Sequence, residues 1–329
     1  MGKAGFMSGS GPVNTEIYPW LGDHWSFFLQ RLERNKLAHA LMIEGPTGTG
    51  KTSLARAMVA RLLCREEQDS ACGHCRSCQV LAGAAHPDYF NLQPDEDSEV
   101  IKVDQVRALI AKLDLTTSIS ERKVAYIHPA EAMNAAAANA LLKSLEEPAG
   151  NTVLILVSDN PARLPVTIRS RCQTITVTQP DPAIVSDWLQ KSSGKPASLV
   201  IDALQAAGGS PLRAARYLDS PELDAFAQVR SGLATLLGRP GSVSMVSSEL
   251  GALNPVELWR WLSICTGEVI KSIMVGQSLN WLPANPKLRD VTLLELQRQA
   301  DINRQLAATP IRGDLLLQVW LINWAEQAT

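Results

Sequence analysis

The feature that most limits the fold of this chain is an eight-residue loop, Gly45-Pro46-Thr47-Gly48-Thr49-Gly50-Lys51-Thr52, which fits the pattern GxxxxGK[ST]. It follows the apolar run 40–43, so a glycine-rich turn joins a predicted strand to a predicted helix. In such a loop the backbone N–H groups and the helix N-terminus face phosphates. The lysine reaches the β- and γ-phosphates, and the Thr52 hydroxyl binds Mg²⁺. The loop therefore predicts a phosphate-binding site on an α/β domain.

The acidic group that hydrolysis requires is absent from its expected place. A carboxylate at the end of a second strand normally holds the magnesium ion, and an acidic or amide group orients the attacking water. The best candidate strand, 123–127, runs instead into His128-Pro129. Glu131 lies about one helical turn further on, about 5 Å away, which is too far for a water in line with the γ-phosphate. We therefore expect binding with little or no hydrolysis.

Four of the six cysteines lie close together in the sequence, at Cys64, Cys72, Cys75 and Cys78. Short CxxC steps in a reducing compartment are typical of thiolate ligands of zinc, whereas disulfides are disfavoured there. The alternative is a set of reduced, inert thiols. His74 is either a replacement ligand or a solvated residue of the knuckle. Because four protein ligands leave no open position, we expect a structural Zn²⁺.

Strand and helix signals alternate from residue 20 to about 178, which predicts a parallel sheet with crossover helices. Strands are predicted at 40–43, 88–92, 124–127, 153–157 and 174–177. Helices are predicted at 51–64, 103–113, 133–145, 256–275, 291–307 and 315–328. After Gln179-Pro180-Asp181-Pro182 the strand signals end, so the remainder is predicted to be helical.

This pattern predicts three domains after a Gly/Ser-rich leader. Their bounds are 1–17 for a disordered leader, 18–178 for the P-loop domain with a zinc module at 64–78, 179–219 for a helical lid and 220–329 for a helical collar. Five of the eight tryptophans fall in the last third of the chain. They either fill the cores of helix bundles or form an oligomer interface.

Composition excludes several classes of function. The formal net charge is −2, so no general basic field attracts nucleic acid or an anionic membrane. No apolar run approaches the roughly 18 residues of a membrane span, and the N-terminus lacks the order of a signal peptide. We therefore expect a cytoplasmic protein that contacts nucleic acid only locally or through partners.

Several further motifs resemble those of bacterial clamp-loader subunits of the AAA+ class. They are Leu37-Ala38-His39-Ala40-Leu41, the cysteine knuckle, His86-Pro87-Asp88, the segment 139–148 (NALLKSLEEP) and Ser170-Arg171-Cys172. The resemblance is specific from about residue 18 to 177 and looser beyond. The Asp-Glu pair of the motor subunit, called tau or gamma, is replaced by His128-Pro129, and the chain has no long extension. These departures favour a non-motor subunit of DNA polymerase III.

The resemblance implies a role for Arg171, because the arginine of this motif points across a subunit boundary at the neighbour's γ-phosphate. Such an arginine finger stabilises the charge that develops during phosphoryl transfer. From the residues alone, a surface ion pair is the alternative. The family's polar sensor corresponds to Ser158 or Asp159, although an aspartate there would repel phosphate. Arg213 lies near the position of the lid arginine, but Pro211 disturbs the register, so we do not expect it to sense nucleotide.

The resemblance also implies a function. The chain would be a stator in a hetero-pentameric clamp loader with tau/gamma and delta subunits, which places the sliding clamp on primed DNA. As part of a polymerase holoenzyme, it would belong to a nucleotidyltransferase complex and bind ATP or ADP with Mg²⁺. The alternatives are an active ATPase of the tau/gamma type, a small-molecule P-loop kinase and a nucleotide-binding scaffold of another assembly. The helical remainder and the zinc knuckle do not fit the kinase.

Overall fold

The computed structural model describes residues 16–283, 290–307, 309 and 312–328. All but the last two residues of the predicted leader lie outside these ranges. Within them the chain divides into two units, the first made of 16–192 with Ser210–Leu212 and the second of Ser193–Gly209 with 213–328. The predicted three-domain division, with a lid and a collar, stays a prediction.

A parallel sheet of five strands forms the centre of the first unit. The strands are β1 Ala40–Glu44, β2 Tyr89–Leu92, β3 Lys123–Ile127, β4 Thr152–Ser158 and β5 Gln173–Thr176. Their order in the sheet is β2-β3-β4-β1-β5. The predicted α/β fold class with a parallel sheet is confirmed, and each strand lies within one residue of its predicted bounds.

The strands form because their residues are apolar on both faces, as a sheet covered on both sides requires. All seven residues of β4 are buried. In β1, Leu41 and Ile43 belong to one hydrophobic cluster, whereas Ala40 and Met42 belong to another on the opposite face. Strict alternation of side chains along the strand therefore divides the core into two layers.

Seven helices accompany the sheet: α1 Gly22–Glu33, α2 Lys51–Leu63, α3 Arg76–Ala82, α4 Val103–Leu113, α5 Ala135–Glu146, α6 Val166–Arg169 and α7 Pro182–Ser193. Short 3-10 turns occur at Pro19–Leu21, Ala130–Ala132 and Pro161–Arg163. The helix predicted from residue 133 begins two residues later, because Asn134 is its N-cap. The Asn134 side chain accepts a hydrogen bond of 2.8 Å from the Ala137 N–H.

The second unit is built from helices over its described residues. They are α8 Ala197–Ala206, α9 Pro211–Tyr217, α10 Glu222–Gly238, α11 Val243–Leu250, α12 Pro255–Val275, α13 Asp290–Leu306 and α14 Gly313–Ala325, with 3-10 turns at Pro240–Ser242 and Glu326–Ala328. The first two residues of α9 belong to the first unit. In the described residues, every helix is too short or too polar to cross a membrane.

The tryptophans of the second unit are mainly core residues. Trp259, Trp261, Trp320 and Trp324 are each at most 2% exposed. The Trp320 and Trp324 rings stack with centroids 5.7 Å apart. Their indole N–H groups donate to the carbonyls of Leu296 and Leu233, at 2.8 and 3.0 Å. This burial favours the core interpretation of these four residues, and the polar atoms of Trp320 and Trp324 are satisfied within the unit.

Candidate nucleotide site and metal centre

The P-loop connects β1 to α2 and has the backbone that its glycines predict. Gly45 and Gly50 have φ values of +145° and +92°. A Cβ at Gly45 would lie 1.9 Å from the Val177 carbonyl oxygen, and one at Gly50 would lie 2.8 Å from the Tyr18 ring. Only glycine combines these dihedrals with such close approach. No described side chain caps the N-terminus of α2, so its first N–H groups can accept an anion.

Lys51 is buried at the start of α2, with a side chain that is 3% exposed. Its Nζ donates to the Pro46 carbonyl at 2.6 Å and forms an ion pair with Asp159 Oδ1, also at 2.6 Å. The Thr47 hydroxyl donates to the other Asp159 oxygen at 2.9 Å. Asp159 directly follows β4, which neighbours β1 in the sheet. Parallel pairing therefore brings the predicted sensor position onto the P-loop lysine.

His128 occupies the position at the end of β3 where a magnesium-binding carboxylate would lie. Burial lowers the pKa of His128, although the negative charges of Asp159 and Glu131 oppose this effect. The imidazole is therefore neutral at neutral pH and supplies no negative charge to a metal ion. Its ring lies 6.0 Å from the Tyr126 ring on the same strand.

Glu131 has a structural role in the turn that follows β3. Its Oε1 accepts hydrogen bonds from the backbone N–H groups of Asp159 and Asn160, at 2.9 and 3.0 Å. This carboxylate oxygen thus fixes the loop after β4. Ser158, the other sensor candidate, is fully buried, and its hydroxyl accepts a bond from the Asn160 N–H.

The four cysteines converge on one point between α2 and α3. The sulfur atoms of Cys64, Cys72, Cys75 and Cys78 all lie within 4.8 Å of one another. Those of Cys72 and Cys78 are 3.9 Å apart, close to the about 3.8 Å expected for two thiolates on a tetrahedral zinc ion. The four thiols are free of disulfides. This geometry fits a closed, structural zinc site.

Backbone N–H groups donate hydrogen bonds to three of the four sulfurs. The N–H groups of Cys72, Cys75 and Cys78 donate to the sulfurs of Cys64, Cys72 and Cys75, respectively. Burial opposes ionisation of Cys75, but hydrogen bonds from the backbone of Arg65 and Cys78 outweigh it and lower the pKa of Cys75 to about 6. At Cys78 burial dominates and raises the pKa. His74 is exposed and its Nδ1 bonds to the Cys72 carbonyl at 2.8 Å, which favours the solvated alternative.

A buried polar network connects the cysteine cluster to the P-loop helix. The Ser77 hydroxyl donates to the carbonyl of Leu63, the last residue of α2, at 2.5 Å. His86 Nε2 contacts the Ser77 oxygen at 2.8 Å, and His86 Nδ1 accepts from the Asp88 N–H at 3.1 Å. The Asp88 carboxylate accepts three backbone N–H bonds, from residues 118–120, at 2.7 to 2.8 Å. The motif His86-Pro87-Asp88 thus holds two loops and a helix together.

We expect this network to make the protein less stable in mild acid. Burial lowers the pKa of His86 below 6.5, although Asp88 opposes this. Neutral His86 makes its full contribution to the free energy of unfolding above pH 6.5. This contribution is lost as the pH falls through the folded-state pKa of His86, and the unfolding free energy then changes by at most about 1.4 kcal/mol per pH unit. Asp88, whose three backbone hydrogen bonds outweigh burial and lower its pKa, extends the loss below pH 3.8.

Urea unfolding between pH 8 and 5 with zinc in excess measures this effect. A His86→Gln variant should show a flatter decline of the unfolding free energy below pH 6.5 than the native chain. His24→Gln, a substitution on α1, serves as the matched control and should retain the native slope. An unchanged slope in His86→Gln would contradict the assignment.

Arg171 lies at the opposite edge of the sheet from the P-loop of its own chain. It precedes β5, whose first residue, Gln173, pairs with Leu41 near the start of β1, whereas the P-loop follows the end of β1. The length of the strand, about 13 Å for four residues, separates the two edges. Arg171 Nε donates to Glu146 Oε1 at 2.6 Å, and its Nη1 donates to the Thr167 carbonyl at 3.0 Å. The arginine therefore forms an ion pair within its own unit.

Sequence reasoning missed the contacts that join distant segments. It did not find the Lys51–Asp159 pair, the role of Glu131 or the bonds of Ser77. The only available signal was the position of Asp159 after a strand that neighbours β1, and that neighbour relation depends on the strand order. Arg213 lies in the second unit, where burial lowers its pKa against the opposing charge of Glu257.

The fold and the site define a P-loop protein of the α/β type with a cluster of four cysteines. A family model described as "DNA polymerase III, delta subunit" matches residues 22–181. A DNA polymerase III subunit delta' of Pseudomonas aeruginosa is 42% identical over 248 residues, 75% of each chain. One from Yersinia pestis is 31% identical over 93% of this chain and 95% of its own. The chain belongs to the family of DNA polymerase III delta' subunits.

Among solved structures, a gamma-subunit-related protein of DNA polymerase III from Thermotoga maritima covers 92% of this chain and 100% of its own, with 16% identity and a TM-score of 0.48. Family membership rests on the sequence relatives, which confirm the predicted resemblance to a subunit of DNA polymerase III.

Proposed function

We propose that this chain is the delta' subunit of a DNA polymerase III clamp loader, which places the sliding clamp on primed DNA during replication. Family membership supports this function, since the Yersinia pestis relative aligns along nearly its whole length. A clamp loader is a multi-subunit complex. Within it, the partners of this chain would be the tau/gamma and delta subunits of a cytoplasmic hetero-pentamer, with the clamp and the primed DNA contacted indirectly.

The observation that carries the stator role is the neutral His128 at the end of β3 beside a complete P-loop. Lys51, Thr52 and the N-terminus of α2 can bind the phosphates of ATP or ADP with Mg²⁺, which would stiffen the domain. No described carboxylate lies at the end of β3 to hold the metal, and Glu131 is engaged with the loop after β4. The site can therefore bind nucleotide but lacks the acidic group for rapid hydrolysis.

In this proposal Arg171 is the residue through which the chain contributes to ATP hydrolysis, at a nucleotide held by an adjoining subunit. Because it lies at the sheet edge opposite its own P-loop, it cannot reach a nucleotide bound there. It can reach one held by an adjoining subunit once its ion pair with Glu146 opens. That ion pair is partly exposed, with Arg171 34% and Glu146 51% exposed, and such pairs contribute little to stability. Separating Arg171 from Glu146 therefore costs little free energy.

Reconstitution of a clamp loader with and without this chain tests the proposal. Loading of the clamp onto primed DNA should require the chain. The purified chain should hydrolyse ATP no faster than its Lys51→Ala variant, because neither has a complete catalytic site. Rapid turnover by the native chain that Lys51→Ala abolishes would contradict the stator role and favour an active ATPase.

A further inference from the structure

Asp159 contacts two side chains of the P-loop, and one of them, Lys51, otherwise binds the phosphates of a nucleotide. One carboxylate oxygen pairs with Lys51 Nζ at 2.6 Å, and the other accepts the Thr47 hydroxyl at 2.9 Å. The lysine is 3% exposed and Asp159 is 35% exposed. An ion pair with one buried partner is screened less than a surface pair. The P-loop lysine thus already has an anion from its own chain.

The position of Asp159 is fixed by its surroundings. It directly follows β4, all of which is buried. Its own N–H and that of Asn160 donate to Glu131 Oε1, at 2.9 and 3.0 Å. The Asn160 N–H also contacts the Ser158 hydroxyl at 3.2 Å. Because the backbone is held on both sides of the carboxylate, Asp159 cannot leave Lys51 by a simple movement of a free loop.

This arrangement affects the phosphates of a nucleotide unequally. The lysine of a P-loop contacts the β- and γ-phosphates, whereas backbone N–H groups contact the α- and β-phosphates. Asp159 engages Lys51 and Thr47 but accepts no hydrogen bond from a P-loop N–H in the described chain. A terminal γ-phosphate must compete with the carboxylate for the lysine and is repelled by its charge. A diphosphate keeps the backbone contacts and avoids part of this repulsion.

We propose that Asp159 is a specificity-determining residue, which competes with the terminal phosphate for Lys51 and makes the site prefer a nucleoside diphosphate to a triphosphate. This inference rests on the proposed nucleotide binding and adds the state of the nucleotide that the chain retains.

Isothermal titration of the full chain with ADP and with ATP, with and without Mg²⁺, tests the inference. The native chain should bind ADP about tenfold or more tightly than ATP. The repulsion between the Asp159 carboxylate and the γ-phosphate, two like charges beside the buried Lys51, corresponds to at least that factor in affinity. Asp159→Asn keeps the shape of the side chain and removes its charge. It should bind ATP about tenfold or more tightly than the native chain and lose most of the preference. Asp159→Ser provides a second variant if the amide perturbs folding, which circular dichroism monitors.

Asp104→Asn is the matched control, because Asp104 also pairs with a basic residue, Arg107, but lies exposed on α4. It should retain the native preference. Equal affinities of the native chain for ADP and ATP would overturn the inference and leave the proposed nucleotide binding intact. Weaker ATP binding by Asp159→Asn only in Mg²⁺ would also overturn it, because Asp159 would then be a metal ligand. Absence of binding in the native chain and both Asp159 variants would overturn the proposed nucleotide binding itself.

Discussion

Replacing Arg171 by alanine is expected to lower ATP hydrolysis by about 10³-fold or more at the site that this chain would adjoin in the proposed clamp loader. An arginine finger stabilises the charge that develops on the transferred phosphoryl group, and its loss costs about 10³ to 10⁵ in rate in related enzymes. Rapid-quench measurement of a single turnover resolves the effect. The fast phase should lose the amplitude of one site, while the remaining sites keep their rate.

Two other variants separate this role from a general effect of charge or of folding. Arg169→Ala removes an exposed arginine two residues away and should leave the amplitude unchanged. Glu146→Gln removes the resting partner of Arg171 and should retain the fast phase, since the guanidinium is then free to reach the neighbour. If Arg171→Ala assembles normally and keeps the full amplitude, Arg171 is only the surface ion pair that it forms within its own unit.

Removing a zinc ligand is expected to have the largest effect on stability. The native chain should contain one zinc ion, and Cys72→Ser should contain far less than one. Zinc binding to a structural four-cysteine site contributes about 10 to 16 kcal/mol of apparent free energy in small zinc modules. Much of that free energy is lost when a ligand is lost, so residues 64–78 should unfold locally. Elemental analysis gives the zinc content, and limited proteolysis detects the unfolding.

Cys172→Ser is the control for the zinc experiment. Cys172 lies outside the cluster, and burial raises its pKa to about 11, so its thiol is neutral. Its substitution should leave the zinc content at one ion per chain. A Cys72→Ser variant with full resistance to protease, or a native chain without zinc, would contradict the assignment of the metal centre.

The sequence predicted those parts of the fold and of the site that depend on neighbours along the chain. Apolar runs predicted the five strands, the spacing of Cys72, Cys75 and Cys78 predicted the cysteine cluster, and the glycines predicted the P-loop. The contacts of Lys51 with Asp159 and of Arg171 with Glu146 join residues far apart in the chain. They depend on the order of strands and on the rotamers of long side chains, neither of which leaves a periodic signal.

The P-loop and Arg171 lie at opposite edges of one sheet, so the two sides of the first unit are chemically different. If the P-loop and Arg171 both faced other subunits, they would do so on two different sides of the unit, with a different neighbour on each side. Contacts of this kind are head-to-tail and propagate around a ring, whereas a two-fold dimer joins the same patch on both copies. In the proposed assembly, Arg171 would face one neighbour and the P-loop would face the other, so the chain would supply an arginine on one side without receiving one on the other.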